Sequence, residues 1–312
     1  MIISASRRTD IPAFYSEWFL KRLKEGFLYV KNPFNANQIS KIDLSPNIVE
    51  CIVFWSKNPE SIIRHLQEIN ELGYKYYFQF TVTSYDKSIE LYVPKKEKVI
   101  STFKKLADNI GPDKVIWRYD PILLTDKFNY DYHVKWFEYL AKKLSQHTKK
   151  CVISFIDMYK KCERNLSDVH LNNIDISLKN SLANSLSEIA KSYNLLIQSC
   201  AEEDDFSEFN IPHGKCIDDD LISKIIGAKI DVNKDKTQRK ECCCVTSIDI
   251  GAYNTCKHGC KYCYANYSQK TVNKNCHSHD VNSPLLAGVL TGNEKITTRK
   301  MVSFLNKQKT LF

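Results

Sequence analysis

The sequence predicts an α/β protein built as a TIM-like (β/α) barrel or partial barrel. Three observations support this fold class. Short β-branched and aromatic runs alternate with longer amphipathic segments, glycines follow several of these segments, and 312 residues suffice for a buried core. The composition, with 43% hydrophobic and 26% charged residues, is that of an ordinary folded protein and excludes a disordered or fibrous chain.

Apolar runs and amphipathic segments give the order of the predicted elements. The candidate strands are residues 1–6, 51–55, 76–83, 115–119, 152–156, 195–199 and 245–250. The candidate helices are residues 13–25, 61–72, 96–109, 132–145 and 178–193, where apolar residues recur at helical spacing. Because strands and helices alternate, we expect a parallel sheet, and this number of strands favours a closed or partly closed barrel.

We divide the chain into four regions. Residues 1–201 form the βα units, and residues 202–241 form an irregular segment with a short helix near 218–226. Residues 242–268 supply a last strand and a loop that complete the barrel, and residues 269–312 form a polar C-terminal tail with another short helix-like piece. No glycine-rich phosphate-binding or dinucleotide-binding motif follows a candidate strand, which disfavours a nucleotide-dependent enzyme.

Charge and cysteine content bear on partners and compartment. The net charge of +9 permits an anionic partner, such as a nucleic acid or a phosphorylated substrate, without requiring one. No apolar run approaches the ~20 residues of a membrane helix, and no signal peptide is visible. We therefore expect a cytoplasmic protein without a membrane partner, in which the 12 cysteines serve metal binding rather than a disulfide framework.

A late loop, residues 255–265, carries the strongest signal and is called the cluster loop below. It holds Cys256, Cys260 and Cys263, separated by three and then two residues. Three thiolates can hold three irons of a [4Fe–4S] cluster and leave the fourth iron open to a small chelating ligand. Gly259 lets the backbone fold around a cluster with N–H groups facing the sulfurs. Zinc is the alternative, although zinc knuckles favour paired Cys-x2-Cys units.

The cysteine spacing, with Tyr262 before the third cysteine, resembles the cluster motif of the radical S-adenosylmethionine (SAM) superfamily. The string CKYCY (residues 260–264) is most similar to the spore photoproduct lyase branch. Over nearly the full chain the sequence also resembles a bacterial family of unknown function, which brings no established reaction with it. That second resemblance rests on SASRRTDIPAFY (residues 4–15), NPFN (32–35), FWSKNP (54–59), WRYDP (117–121) and DIG (249–251).

The superfamily resemblance implies a [4Fe–4S] cluster, SAM, and an electron donor such as flavodoxin or ferredoxin. It also implies that one electron cleaves SAM to a 5′-deoxyadenosyl radical, which acts on a substrate that the sequence does not name. The superfamily carries its cluster loop after the first barrel strand, whereas here the loop comes late. We therefore expect a circular permutation, with residues 245–250 as the first strand and residues 1–6 as the second, which a parallel barrel tolerates.

Polar residues after the candidate strands complete the predicted site, because the carboxyl ends of parallel strands meet at one edge. The superfamily's Gly-Gly-Glu element, which holds the SAM amino group, is absent, and residues 6–10 take its place. Asp10 could accept the SAM ammonium group, and Arg7 or Arg8 could pair with the SAM carboxylate. Tyr262 could contact the adenine. The candidate catalytic residues, which would contact substrate or SAM, are Arg118, Asp120 and Asp157.

Four further cysteines suit a second [4Fe–4S] cluster with no open iron, with structural zinc or free thiols as alternatives. This second cysteine set consists of Cys200, Cys216, Cys242 and Cys244. Cys243 is excluded because side chains alternate in an extended segment. Two other functions stay open: a non-catalytic iron–sulfur or zinc protein that binds nucleic acid, and a DNA-lesion repair lyase.

Overall fold

A seven-stranded parallel sheet forms the centre of the computed structural model, which describes residues 1–157 and 160–305. Its strands are β1 (Ile2–Ala5), β4 (Cys51–Ser56), β5 (Tyr76–Thr81), β6 (Val115–Ile122), β7 (Lys150–Phe155), β8 (Leu196–Ser199) and β9 (Ile248–Asp249). The spatial order is β8-β7-β6-β5-β4-β1-β9. The predicted α/β architecture is therefore confirmed. Closure into a barrel is not, because β8 and β9 lie at opposite edges of the sheet in the described part of the chain.

Helices cover the central sheet, which explains why its strands are almost continuously apolar. The helices are α1 (Ile11–Phe14), α2 (Ser16–Glu25), α3 (Glu60–Ile63), α4 (Leu66–Glu71), α5 (Lys96–Ile110), α6 (Tyr130–Leu144), α7 (Lys160–Asn165), α8 (Ile176–Ser192), α9 (Asp219–Ile226) and α10 (Gln269–His277). The predicted helices 13–25 and 61–72 are each divided into two. In α6, buried Phe137, Leu140 and Leu144 form the apolar stripe that faces the core.

A second, three-stranded sheet was not predicted. It contains β2 (Phe27–Asn32), β3 (Asn35–Asp43) and β10 (Lys295–Thr298), with β3 antiparallel to β2 and parallel to β10. The region predicted as a polar tail therefore supplies α10 and β10, and residues 306–312 of that tail lie outside the described residues. The indole N–H of Trp18 donates to the carbonyl of Ser283 at 2.8 Å, which ties this region to α2.

The first strand lies beside the last strand of the central sheet. Ile3 pairs with Ile248 and Ser4 with Asp249, both in parallel register. The predicted strand 245–250 is shorter than expected, because Val245 bridges to Lys234 instead of to β1. The cluster loop thus begins a few residues after a strand whose neighbour is the start of the chain. Within the described residues, every helix is too short or too polar to cross a membrane.

Candidate thiol-rich site

The carboxyl ends of the central strands open into a cavity of about 820 Å³. Both cysteine sets line it, although they come from distant parts of the chain. The lining contains every site residue predicted from the sequence: Arg7, Arg8, Asp10, Arg118, Asp120, Asp157, Cys200, Cys216, Cys242, Cys244, Cys256, Cys260, Tyr262 and Cys263. The cavity therefore gathers the predicted residues at one place, whatever role each of them has.

Each thiol of the cluster loop has a hydrogen-bond donor nearby. The backbone N–H of Ala265 donates to Cys263 Sγ at 3.4 Å. Burial raises the pKa of the Cys263 thiol, and the N–H groups of Ala265 and Asn266 oppose that rise. Burial likewise raises the pKa of Cys260 to about 12, while the nearby Lys57 lowers it. Free thiols here stay protonated at neutral pH, and a bound metal would displace the protons because it ligates the thiolate.

The cluster loop is held against the segment that follows β5. The N–H of Tyr92 donates to the carbonyl of His258 at 3.0 Å, and the N–H of Lys261 donates to the carbonyl of Ile89 at 3.0 Å. Gly259 lies between these two contacts with a φ of +64°, in the left-handed region that disfavours residues with a Cβ. The left-handed φ therefore favours glycine at this position, while the folding of the loop around a cluster stays a prediction.

Asp10 is buried and its carboxylate is fully engaged by the protein. It caps α1 through the N–H of Ala13 at 2.9 Å and accepts from Ser56 Oγ at 2.7 Å and the N–H of Lys57 at 2.8 Å. His258 Nε2 lies 2.8 Å from Asp10 Oδ2, the oxygen that also accepts from the N–H of Lys57. Both carboxylate oxygens thus have protein partners, and the predicted contact of Asp10 with the SAM ammonium stays a prediction. Asp10 links the end of β4 to the cluster loop.

Asp249, at the end of β9, fixes the backbone that carries the two predicted arginines. It accepts from Ser4 Oγ at 3.1 Å, Ser6 Oγ at 2.8 Å, the N–H of Arg7 at 2.8 Å and the N–H of Gly251 at 3.0 Å. A Cβ on Gly251 would lie 1.9 Å from Ser6 Oγ, so the strand end and the β1 loop meet too closely for any other residue. This contact sets the start of the cluster loop against the arginine segment.

Arg7 and Arg8 lie in different surroundings. Arg7 is directed toward the second cysteine set, with its guanidinium 5.6 Å from the centre of the Trp55 ring. Arg8 lies 5.2 Å from the Tyr253 ring centre, 3.8 Å from the Asp249 carboxylate and is one quarter exposed. Arg8, which lines the cavity and is partly exposed, could pair with an anion there.

Glu90 is a site residue that the sequence did not reveal. Its side chain is only 1% exposed and accepts from Lys57 Nζ and Lys96 Nζ, each at 2.7 Å, and from Thr83 Oγ1 at 2.6 Å. The hydroxyl of Tyr262 donates to the same carboxylate at 2.5 Å. Burial alone would raise the pKa of Glu90, but the two lysines hold it well below its usual value. Glu90 therefore anchors the aromatic residue of the cluster loop.

The second cysteine set also forms a connected group. Cys200 Sγ lies 3.2 Å from Cys216 Sγ, and the N–H groups of Cys216 and Ile217 lie 3.3 and 3.4 Å from Cys244 Sγ. The hydrogen bond with Cys200 lowers the pKa of Cys216, but the hydrogen bond with Cys244 and burial together outweigh it and raise that pKa to about 11. Cys243 does not line the cavity; its thiol faces the carbonyl of Glu241 at 3.6 Å.

The three candidate catalytic residues have protein partners. The Arg118 side chain is buried, and its Nε donates to Asp120 Oδ2 at 2.9 Å while its Nη1 lies 2.7 Å from Cys216 Sγ. Asp120 also accepts from the hydroxyl of Ser154. Asp157 is half exposed and forms an ion pair with Arg239 across the cavity rim. Arg118 thus contacts the second cysteine set through Cys216, Asp120 is held by Arg118 and Ser154, and Asp157 lies apart from them.

The fold and the cavity define an α/β protein whose strand ends bring two sets of thiols together. The chain belongs to the family described as "Domain of unknown function (DUF1848)", whose model matches residues 2–265. The predicted membership of a family of unknown function is thereby confirmed, while the radical SAM resemblance stays a prediction.

The comparisons with curated proteins and with solved structures are less informative than the family match. No curated protein matches the chain. Among solved structures, the chain is similar to the crystal structure of "a putative alpha-L-fucosidase from Bacteroides thetaiotaomicron VPI-5482". The identity is 13%, the match covers 59% of this chain and 74% of that one, and the TM-score is 0.26.

Proposed function

We propose that this protein is a radical SAM-type enzyme in which Cys256, Cys260 and Cys263 hold a [4Fe–4S] cluster with one open iron. The observation that carries the proposal is that these three thiols line the cavity formed by the strand ends. The donor set fits the cluster, because the loop offers three thiols with an N–H group directed at the Cys263 sulfur. The cavity of about 820 Å³ also lies within the range of ~300–1,000 Å³ typical of ligand sites.

The strand order supports a circularly permuted partial barrel. Starting from β9, the neighbours are β1, β4, β5, β6, β7 and β8, so each strand lies beside the one that follows it in a permuted chain. A (β/α) barrel has the same sequential order of neighbours. In this interpretation β9 acts as the first strand, and its loop carries the cluster ligands. The antiparallel pair of β2 and β3 is then an insertion between the second and third strands.

When bound, such a cluster would supply the electron that cleaves SAM to a 5′-deoxyadenosyl radical, with flavodoxin or ferredoxin as the donor that the resemblance implies. The protein's own residues hold the reactants in place. Glu90 fixes Tyr262 and Lys57 beside the thiols, and Asp10 fixes His258. Arg8 offers a guanidinium to the SAM carboxylate from the wall of the cavity. The substrate occupies the remaining space and is not assigned.

Anaerobic reconstitution tests the proposal. The wild-type chain, a Cys256→Ala/Cys260→Ala/Cys263→Ala variant and a Cys243→Ala control are compared for iron, acid-labile sulfide and 5′-deoxyadenosine formed with SAM and dithionite. We expect the control to match the wild type, and the triple variant to lose about four irons and all 5′-deoxyadenosine. A zinc-loaded wild type that forms no 5′-deoxyadenosine would overturn the proposal, and salt-sensitive DNA binding in that protein would favour the nucleic-acid-binding alternative.

A further inference from the structure

The second cysteine set is a group of four thiols that the proposed SAM chemistry does not use. The four residues come from three separate segments: Cys200 follows β8, Cys216 lies before α9, and Cys242 and Cys244 precede β9. All four line the same cavity, and the sulfurs of Cys200 and Cys216 are 3.2 Å apart. Four thiols from three segments of the chain therefore meet at one place.

Buried donors point at the sulfurs of this set. Nη1 of Arg118, a side chain that is 4% exposed, lies 2.7 Å from Cys216 Sγ. Guanidinium groups only donate, and a neutral thiol is a weak acceptor, so this contact fits a site built for a thiolate. The N–H groups of Cys216 and Ile217 are directed at Cys244 Sγ in the same way. Arg7 adds a second guanidinium facing Cys244, and its Nε is buried without a hydrogen-bond partner.

Four thiols can serve two kinds of metal site, zinc or a [4Fe–4S] cluster. Tetrahedral zinc, with Zn–S bonds of about 2.3 Å, holds its four sulfurs ~3.8 Å apart from one another. In the part of the chain that the structure describes, no three cysteine sulfurs lie within 4.8 Å of each other. The four thiols are therefore not arranged around a single ion, although Cys200 and Cys216 lie only 3.2 Å apart, and metal analysis decides between zinc and a cluster in which each thiolate binds a different iron.

We infer that Cys200, Cys216, Cys242 and Cys244 hold a second [4Fe–4S] cluster, fully ligated by the protein, in the cavity of the first site. The inference goes beyond the proposed function and does not depend on it, because these ligands and donors are separate from the cluster loop. A cluster with four thiolate ligands has no open iron, so this site does not bind SAM. Arg118 is its charged hydrogen-bond donor, through Cys216.

Metal analysis after anaerobic reconstitution tests the inference. A Cys216→Ala/Cys244→Ala variant is compared with the wild type and with Cys243→Ala, which removes the thiol between two of the ligands. We expect about eight irons and eight sulfides per chain in the wild type and the control, and about four in the double variant. If the wild type binds about four irons and one zinc, or if the double variant keeps all the iron of the wild type, the inference is wrong.

A measurement on the intact protein keeps the test independent of variants that fail to fold. Reduced wild-type protein is examined by electron paramagnetic resonance with and without SAM. We expect two signals, one that SAM shifts and one that it leaves unchanged, and Arg118→Met to alter only the second. A lone signal that SAM shifts completely would overturn the inference. If no signal responds to SAM but Arg118→Met still alters one, the proposed function fails and the second cluster stands.

Discussion

The buried carboxylate of Glu90 allows a quantitative test of how the cluster loop is held. In Glu90→Gln the side chain keeps its shape but loses its charge, while Lys57 and Lys96 remain only 13% and 15% exposed. Removing one partner of a buried ion pair costs roughly 3–5 kcal/mol, because the other charge is left uncompensated. Two lost charged hydrogen bonds at ~1.5–3 kcal/mol each give a similar figure.

Thermal unfolding of the metal-free chain measures this loss. A change of about 4 kcal/mol corresponds to a fall in Tm on the order of 8 °C for a protein of this size. The matched control is Glu60→Gln, which breaks the 2.8 Å pair with Lys98 between side chains that are 46% and 56% exposed. Exposed pairs contribute ~0–1 kcal/mol, so the control should change Tm by about 2 °C or less.

A second variant separates the charge effect from packing. Lys57→Met in the Glu90→Gln background removes one of the two buried lysine charges that have lost their carboxylate partner, and we expect it to recover about half of the lost stability. Because Glu90 also holds Tyr262, the single variant should lose iron faster than the control during desalting. Equal Tm values for Glu90→Gln and Glu60→Gln would refute the reasoning, since burial would then add nothing to the pair.

Three further outcomes follow from the geometry of single residues. Gly259→Ala should cost about 1–2 kcal/mol from its left-handed φ and lower the iron retained per chain, whereas the same change at exposed Gly292 should leave iron unaffected. Gly251→Ala should lower Tm strongly because its Cβ would overlap Ser6 Oγ, and Ser6→Gly in the same chain should restore part of the loss; no restoration would contradict the steric cause. His133 is buried and its pKa is lowered by burial from 6.5 to about 4, so the unfolded chain binds the extra proton first. Stability should therefore fall by about 3 kcal/mol as the pH drops from 6.5 to 4, and His133→Gln should flatten that part of the urea-denaturation profile; an unchanged slope would contradict the assignment.

The central sheet could be predicted because its strands carry their own signal. Runs such as residues 51–55 and 76–83 are apolar on both faces, as a covered parallel sheet requires. The second sheet has no such signal. β3 (Asn35–Asp43) is polar with its first four residues exposed, and its partner β10 lies more than 250 residues away, so only the folded chain shows the pairing.

The part of the site that could be predicted is the cysteines, because thiols are metal ligands and several of them lie close together in the sequence. The cysteines stood out for that reason, and the cavity brings both sets together. Glu90 carries no comparable signal, because its partners Lys57, Lys96 and Tyr262 come from separate loops that meet only in the fold. The same applies to Asp10: an acidic residue after a strand could bind a ligand or the protein, and only the fold shows its four protein contacts.

The pairing of β1 with β9 has a consequence for how the protein is made. A ribosome adding ~5–20 residues per second finishes β9 roughly 10–50 s after β1. During that interval the edge of β1 that will pair with β9 is unpaired, and its free N–H and C=O groups can pair with another nascent chain. In the proposed enzyme, iron could be bound only after the cluster loop has been synthesised, because its cysteines come later in the chain than almost all other residues that line the cavity. Slower synthesis or a chaperone during that window should therefore raise the yield of metal-loaded protein more than added iron does.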